Sequence, residues 1–172
     1  MYQPAEDSFF FAEFLQSYIA KLKNKKIKYL DMGTGSGILA QTALKAGISK
    51  QNITCADIDT EATTHTKSQG FKTIKSNLFQ NIKQKYDLIT FNTPYLPQHK
   101  HDKKPDTTGG KNGDEITIKF LKQARSHLNT KGKIFFLISS QTPQNKIKKF
   151  NPKLVAEKKI FFEKLLIFKI ST

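Results

Sequence analysis

The amino-acid sequence predicts one α/β domain over residues 1–172: a mostly parallel seven-stranded sheet, helices on both faces, and a C-terminal antiparallel hairpin. Three observations predict it. Short apolar runs alternate with stretches of helical period, the pattern of a layered α/β sheet. A glycine-rich turn joins the first apolar run to the periodic stretch after it, as at the ligand-binding edge of such sheets. The last two apolar runs lie too close in sequence for a helical crossover, so they must pair antiparallel. The length suits a single domain with its own core. No repeat, low-complexity segment or long linker divides the chain.

Taken in order, a first helix is expected to start at Asp7 or Ser8, either of which can cap it. Phe10, Phe11, Phe14, Leu15 and Tyr18 follow at helical spacing. The lysine-rich stretch 21–28 reads as a solvated turn, and residues 27–32 as the first strand. A helix over 36–46 follows the glycine turn. Strand two covers 52–57, a helix covers 60–69 and stops at Gly70, strand three covers 71–75, and the apolar strand four covers 86–91. Residues 92–112 are irregular and polar; a loop of that length in a compact domain is usually functional or disordered, and 98–112 is expected to be mobile. The next helix is read over 113–129, with Ile116, Phe120, Leu121, Ala124 and Leu128 on one face. Strand five covers 133–139, a short helix covers 143–150, and strands over 155–162 and 164–170 close the sheet. In that reading Phe161 and Phe162 belong to the core ahead of any interface.

Composition narrows the function classes. The single cysteine, Cys55, excludes an internal disulfide framework and suits a reducing cytoplasm. No apolar run approaches the roughly 20 residues that span a bilayer, so no membrane role is expected. The first apolar residues follow Glu6 and Asp7, unlike a signal peptide. The net charge is +15, which suits an acidic partner such as nucleic acid. Only one of the 29 basic residues is arginine, Arg125, whereas phosphate and base recognition favours arginine's planar fork; the charge is therefore read mainly as lysine-rich composition.

The clearest chemistry lies at Asp31-Met32-Gly33-Thr34-Gly35-Ser36-Gly37, between strand one and a helix. Gly33, Gly35 and Gly37 allow a tight turn and close approach of a ligand to the backbone. The dinucleotide spacing G-x-G-x-x-G fails here, because Ile38 follows Gly37. Asp31 would repel a pyrophosphate and attract an ammonium. S-adenosylmethionine carries that ammonium and no phosphate. Asp57, about 20 residues past the turn, suits ribose hydroxyls, while Asp59 is placed to cap the next helix. In Ser76-Asn77-Leu78-Phe79, Asn77 can accept from an adenine amino group and Leu78 can pack on the ring.

Strand four ends in Asn92-Thr93-Pro94-Tyr95, at the edge where ligands of open α/β sheets gather. These residues suit a delocalised acceptor nitrogen, of an amide or an aromatic amine. The Asn92 side-chain carbonyl can accept one N–H and the Thr93 backbone carbonyl another, holding the nitrogen in line and stabilising the charge it gains. Tyr95 can stack on a planar acceptor. His99 and His101 lack the company that metal ligation needs, so no metal is expected. His65 and His127 are read as surface or packing residues and Cys55 as core.

With these residues assembled, the chain resembles the HemK-type glutamine N5-methyltransferases that modify the Gly-Gly-Gln loop of translation release factors, in their short archaeal and eukaryotic branch. The resemblance runs through Tyr2-Gln3-Pro4-Ala5-Glu6-Asp7-Ser8-Phe9, residues 31–37, Ala56-Asp57-Ile58, residues 92–95, Gly109-Gly110-Lys111-Asn112-Gly113 and Leu165-Leu166-Ile167-Phe168-Lys169. It implies a Rossmann-like, class I methyltransferase sheet. It also implies cofactor contacts at Ser8, Asp31, Gly33, Asp57, Asn77, Leu78 and Asn92, with the glutamine amide held by residues 92–95. It further implies a cytoplasmic enzyme that works on a release factor with a small zinc-binding activator subunit. Two residues depart from the family: Thr93 stands where a proline is usual, losing its fixed φ, and Asn77 stands for a common aspartate. Two other functions stay open, an amino-methyltransferase of adenine or guanine in nucleic acid and a non-catalytic cofactor-binding scaffold.

Overall fold

The computed structural model describes residues 4–95, 110 and 112–171. Seven strands, β1 (Tyr29–Met32), β2 (Ile53–Asp57), β3 (Lys72–Lys75), β4 (Tyr86–Asn92), β5 (Leu128–Ser139), β6 (Lys153–Ile160) and β7 (Glu163–Ser171), form one sheet in the order β3-β2-β1-β4-β5-β7-β6. β1 to β5 are parallel; β7 runs antiparallel to β5, and β6 to β7. The expected strand number and the closing hairpin are both present.

Successive strand residues feed opposite sides of the sheet. Tyr29, Leu88 and Phe135 pack with Phe11, Leu15 and Ile19 of α1 (Glu6–Ala20) and with Leu39 and Ala43 of α2 (Ile38–Lys45). Leu30, Ile89 and Phe136 pack with Phe120 and Leu121 of α4 (Glu115–Ala124) on the other side. Both faces are covered, which is why adjacent residues at the centre of β4 are both apolar: Leu88 is buried on one face and Ile89 on the other. Helix α3 (Thr60–Ser68) lies beside α2, tied to it by Gln41 Nε2 donating to Gln69 Oε1 at 3.0 Å. The rings of Phe14 and Tyr18 meet Phe135 edge-on, with centroids 5.0 and 4.7 Å away. Full burial of Phe11, Leu15 and Ile19 stabilises by about 1.5–3 kcal/mol each, and this face anchors α1 over the end of β4.

Several boundaries differ from the sequence reading. α1 begins at Glu6 with Ala5 at its N-cap and no side-chain cap. Asp7 and Ser8 are therefore not caps; both are buried in the first turn. The helix read over 113–129 ends at Ala124, a 3-10 turn covers Arg125–His127, and Leu128 opens β5. Residues 143–150 supply only the 3-10 turn Ile147–Phe150. Phe161 and Phe162 are neither strand nor core: they form the β6–β7 turn and are 89% and 97% exposed. That turn sits at the carboxyl end of β5, where the Ser139 hydroxyl meets Glu163 and Ser140 N–H donates to the Lys164 carbonyl at 2.7 Å. Among the described residues no helix is long and apolar enough to cross a membrane.

Candidate active site

The turn after β1 winds through left-handed backbone at Gly33 (φ +61°), Gly35 (φ +50°) and Gly37 (φ +78°), a conformation that costs other residues roughly 1–2 kcal/mol each. Three bonds donated by its backbone N–H groups pin it. Thr34 N–H donates to the Ala56 carbonyl (3.1 Å), Gly37 N–H to the Thr34 carbonyl (2.8 Å) and Gly35 N–H to Asp57 Oδ2 (2.9 Å). The other Asp57 oxygen accepts from Asp59 N–H at 2.9 Å. Burial raises the Asp57 pKa from its ordinary value. Asp59 caps α3, accepting from Glu61 N–H at 2.8 Å.

A cavity of about 1010 Å³ opens along the carboxyl ends of β1, β2 and β4. Among the residues expected to form the site, Ser8, Gly33, Gly35, Asp57, Asn77, Leu78, Asn92, Thr93, Pro94 and Tyr95 line it. Asp31 and Gly37 stand back from it. A Cβ on Gly37 would lie 3.0 Å from both Thr66 and Gln69, so this glycine lets α2 approach the end of α3. Asp31 is 1% exposed; its carboxylate accepts from the Thr34 hydroxyl (2.7 Å) and the Thr90 hydroxyl (3.2 Å). Thr90 in turn shares a 2.6 Å bond with the Tyr29 hydroxyl. Desolvation pushes the Asp31 pKa up to about 7. Asp31 thus buttresses the glycine turn from beneath, through Thr34, and its charge reaches the cavity through low-dielectric protein.

At the acceptor end, Asn92 Nδ2 donates to Asp7 Oδ2 (3.1 Å) and contacts Ser8 Oγ (3.4 Å). The Tyr95 hydroxyl donates to the same Asp7 oxygen at 3.4 Å. Asn92 Oδ1 is buried and has no hydrogen-bond partner among the described residues. A buried acceptor left unpaired calls for an explanation. Thr93 is buried, and its hydroxyl donates to the Leu137 carbonyl of β5 at 2.7 Å. That bond fixes the segment where proline's ring is missing. Asp7 is the residue the sequence reading missed. Its only signal was membership of the Glu6-Asp7-Ser8 run, since nothing local shows that residue 7 reaches residue 92.

The remaining candidates are structural. His65 bonds Gln69, and His127 stacks on Phe79 with centroids 4.5 Å apart. Cys55 is buried in the core, where desolvation raises its pKa. Among the described residues no group of three or more His, Cys, Asp or Glu side chains could hold a metal. His99, His101 and the loop 98–112, except Gly110 and Asn112, lie outside the described residues. The charge of the cavity opposes that of the chain. Asp7, Asp57, Asp59 and Glu61 line it, against Lys119 as the one cationic side chain among its described lining residues.

A sheet in this order, with a glycine turn after β1, an acid ending β2 and the Asn-Thr-Pro-Tyr segment after β4, defines a class I S-adenosylmethionine-dependent methyltransferase. The chain belongs to the methyltransferase small domain family, whose model matches residues 12–162. It is 32% identical to a Methanocaldococcus jannaschii protein provisionally named a protein N5-glutamine methyltransferase, over 97% of this chain and 89% of that one. It is 29% identical to human methyltransferase HEMK2, over 81% and 71% respectively. These two relatives bear out the HemK-type resemblance and its short branch. The crystal structure of ribosomal protein L11 methylase from Lactobacillus delbrueckii subsp. bulgaricus shares the fold, with a TM-score of 0.70 at 21% identity over 96% of this chain and 79% of that one.

Proposed function

We propose that this enzyme methylates the side-chain amide nitrogen of a glutamine in the Gly-Gly-Gln loop of a translation release factor. The observation that carries the reading is the buried, unpartnered Oδ1 of Asn92 at the cavity wall. An amide nitrogen is a weak nucleophile because its lone pair is delocalised into the carbonyl. Asn92 Oδ1 takes one of its N–H groups and the Thr93 backbone carbonyl the other, while Tyr95 offers a flat surface to the amide plane. Holding the nitrogen in line contributes through orientation, and the two acceptors stabilise the positive charge it gains. No strong base is required, because the nitrogen sheds its proton readily once methylated.

The residues present fit S-adenosylmethionine. Gly33 and Gly35 admit it close to the backbone, Asp57 can take ribose hydroxyls, and Asn77 and Leu78 suit the adenine. The acid-rich lining suits the cofactor's ammonium and sulfonium and disfavours a pyrophosphate. When bound, the cofactor supplies an electrophilic methyl group. The same acids disfavour a phosphate-bearing acceptor, which weighs against nucleic acid despite the +15 net charge. The resemblance adds a small zinc-binding activator subunit as partner, and a cytoplasmic setting fits the buried, unpaired Cys55.

The test is transfer of radiolabelled methyl to a release factor, with and without the activator. A factor whose Gly-Gly-Gln glutamine is changed to alanine runs beside it, with tRNA and DNA as competing acceptors. Label on the native factor alone is expected. Label on nucleic acid, or equal label on both factors, overturns the reading. Full activity of the isolated chain removes the activator from it.

A further inference from the structure

We infer that Asp7, in the first turn of α1, is the positioning residue that decides which end of the Asn92 amide faces the acceptor. The inference rests on the reading of Asn92 Oδ1 as the group that receives the acceptor's N–H. An asparagine amide has two ends of nearly equal shape, so its neighbours alone determine which is presented. A hydroxyl such as that of Ser8 does not decide it, because it can donate or accept. A carboxylate only accepts. With Asp7 Oδ2 at 3.1 Å, Asn92 must turn its NH2 toward α1, which leaves Oδ1 on the cavity side, buried and unpaired. The same carboxylate oxygen receives the Tyr95 hydroxyl, so one atom of α1 fixes two of the four acceptor-segment residues. Ser8 N–H and the Ser8 hydroxyl hold the other Asp7 oxygen at 2.6 and 3.3 Å, which fixes the carboxylate itself. A charge-assisted bond to the NH2 end also draws electron density onto Oδ1 and strengthens it as an acceptor.

This geometry makes an unusual ordering of variants. In Asp7→Asn, the Ser8 N–H demands an oxygen where Asp7 Oδ1 now sits, so the new NH2 falls where Oδ2 was. Asn92 must then flip, give its carbonyl to residue 7 and present its NH2 to the cavity. A donor replaces the acceptor. In Asp7→Ala the Asn92 amide is merely released and still samples the productive orientation. The conservative change is therefore the more damaging one, the reverse of what loss of a structural contact would give.

The experiment compares the full-length chain, with its activator if required, as wild type, Asp7→Asn, Asp7→Ala and the swap Asp7→Asn with Asn92→Asp. Methyl transfer is measured on whichever acceptor the wild type labels, alongside cofactor affinity and the Asn92 side-chain amide signal in 15N NMR, assigned by its loss in Asn92→Asp. The expected result is a kcat loss of about a hundredfold in Asp7→Asn, a smaller loss in Asp7→Ala, recovery of about tenfold in the swap, and cofactor Kd within about threefold throughout. The Asn92 NH2 protons, protected from exchange in the wild type, become solvent-exchanging in Asp7→Asn. An Asp7→Ala enzyme slower than Asp7→Asn, or an Asn92 amide signal unmoved in Asp7→Asn, overturns the inference. The NMR result stands even if glutamine is not the acceptor, so failure of that reading and failure of this one are told apart.

Discussion

Asp31→Asn is the most informative substitution, because it separates what the buried carboxyl does for the cofactor from what it does to the fold. Asp31 is 1% exposed, and desolvation raises its pKa from 3.8 to about 7, against the opposing help of the Thr34 and Thr90 hydroxyls. Below about pH 4 the group is protonated in both the folded and unfolded chains and has no effect on their balance. Between about 4 and 7 the unfolded chain ionises and the folded one does not, so stability falls as pH rises. Above about 7 both are ionised and the loss is constant. At 1.36 kcal/mol per tenfold in proton affinity, the loss from 3.8 to about 7 amounts to about 4 kcal/mol. Asparagine keeps the shape, and the two threonine hydroxyls can turn to meet its NH2. Its neutral amide removes the pH-dependent loss. Calorimetric melts of both proteins from pH 4 to pH 8 should diverge as pH rises, with the variant gaining about 10 °C in Tm relative to wild type at this chain length. Cofactor titrations should show the opposite trade. Wild-type affinity for the cationic cofactor tightens as pH rises through about 7, while the variant binds weakly at every pH. Parallel melting curves would refute the argument that desolvation governs Asp31.

Two further substitutions test the turn and the acceptor segment. Gly33→Ala places a Cβ 2.7 Å from Phe91 Cε2 at a φ of +61°; it should cost about 2–3 kcal/mol in a denaturant melt, from backbone strain and the clash together, and weaken cofactor binding measured by titration. Thr93→Val keeps the volume and removes the 2.7 Å bond to the Leu137 carbonyl; about 1 kcal/mol of stability should go with it, with kcat falling more than cofactor affinity.

Much of this was legible in the sequence because it is local. The adjacent apolar residues Leu88 and Ile89 of β4 report burial on both faces, the glycine turn reports left-handed backbone beside the cavity, and Asp59 caps α3 as its position before a helical stretch suggests. What was illegible depends on residues far apart. Leu128 satisfies the helical stripe through Ala124 and equally the first position of β5, and only its pairing with Tyr86 decides between them. Phe161 and Phe162 carry strand composition, yet the β6–β7 register, with Ile160 opposite Glu163, puts them in the turn. Asp7 has the chemistry of a cap, and its true partner lies 85 residues away. Asp31 and Gly37 have the right types for ligand contact, but the turn winds so that one supports it from below and the other faces α3.

The opposition between a +15 chain and an acid-lined cavity divides recognition by distance. Surface lysines project their field over roughly a Debye length, about 8 Å at physiological salt, so they raise the rate at which an acidic partner arrives and lose that advantage as salt is added. Of the cavity carboxylates, Asp7 and Asp57 lie in a partly desolvated space that salt screens weakly. For an acidic partner, encounter and selection would then be governed by separate charge layers. Raising ionic strength should slow association with an acidic partner while leaving the ratio of rates between competing acceptors unchanged.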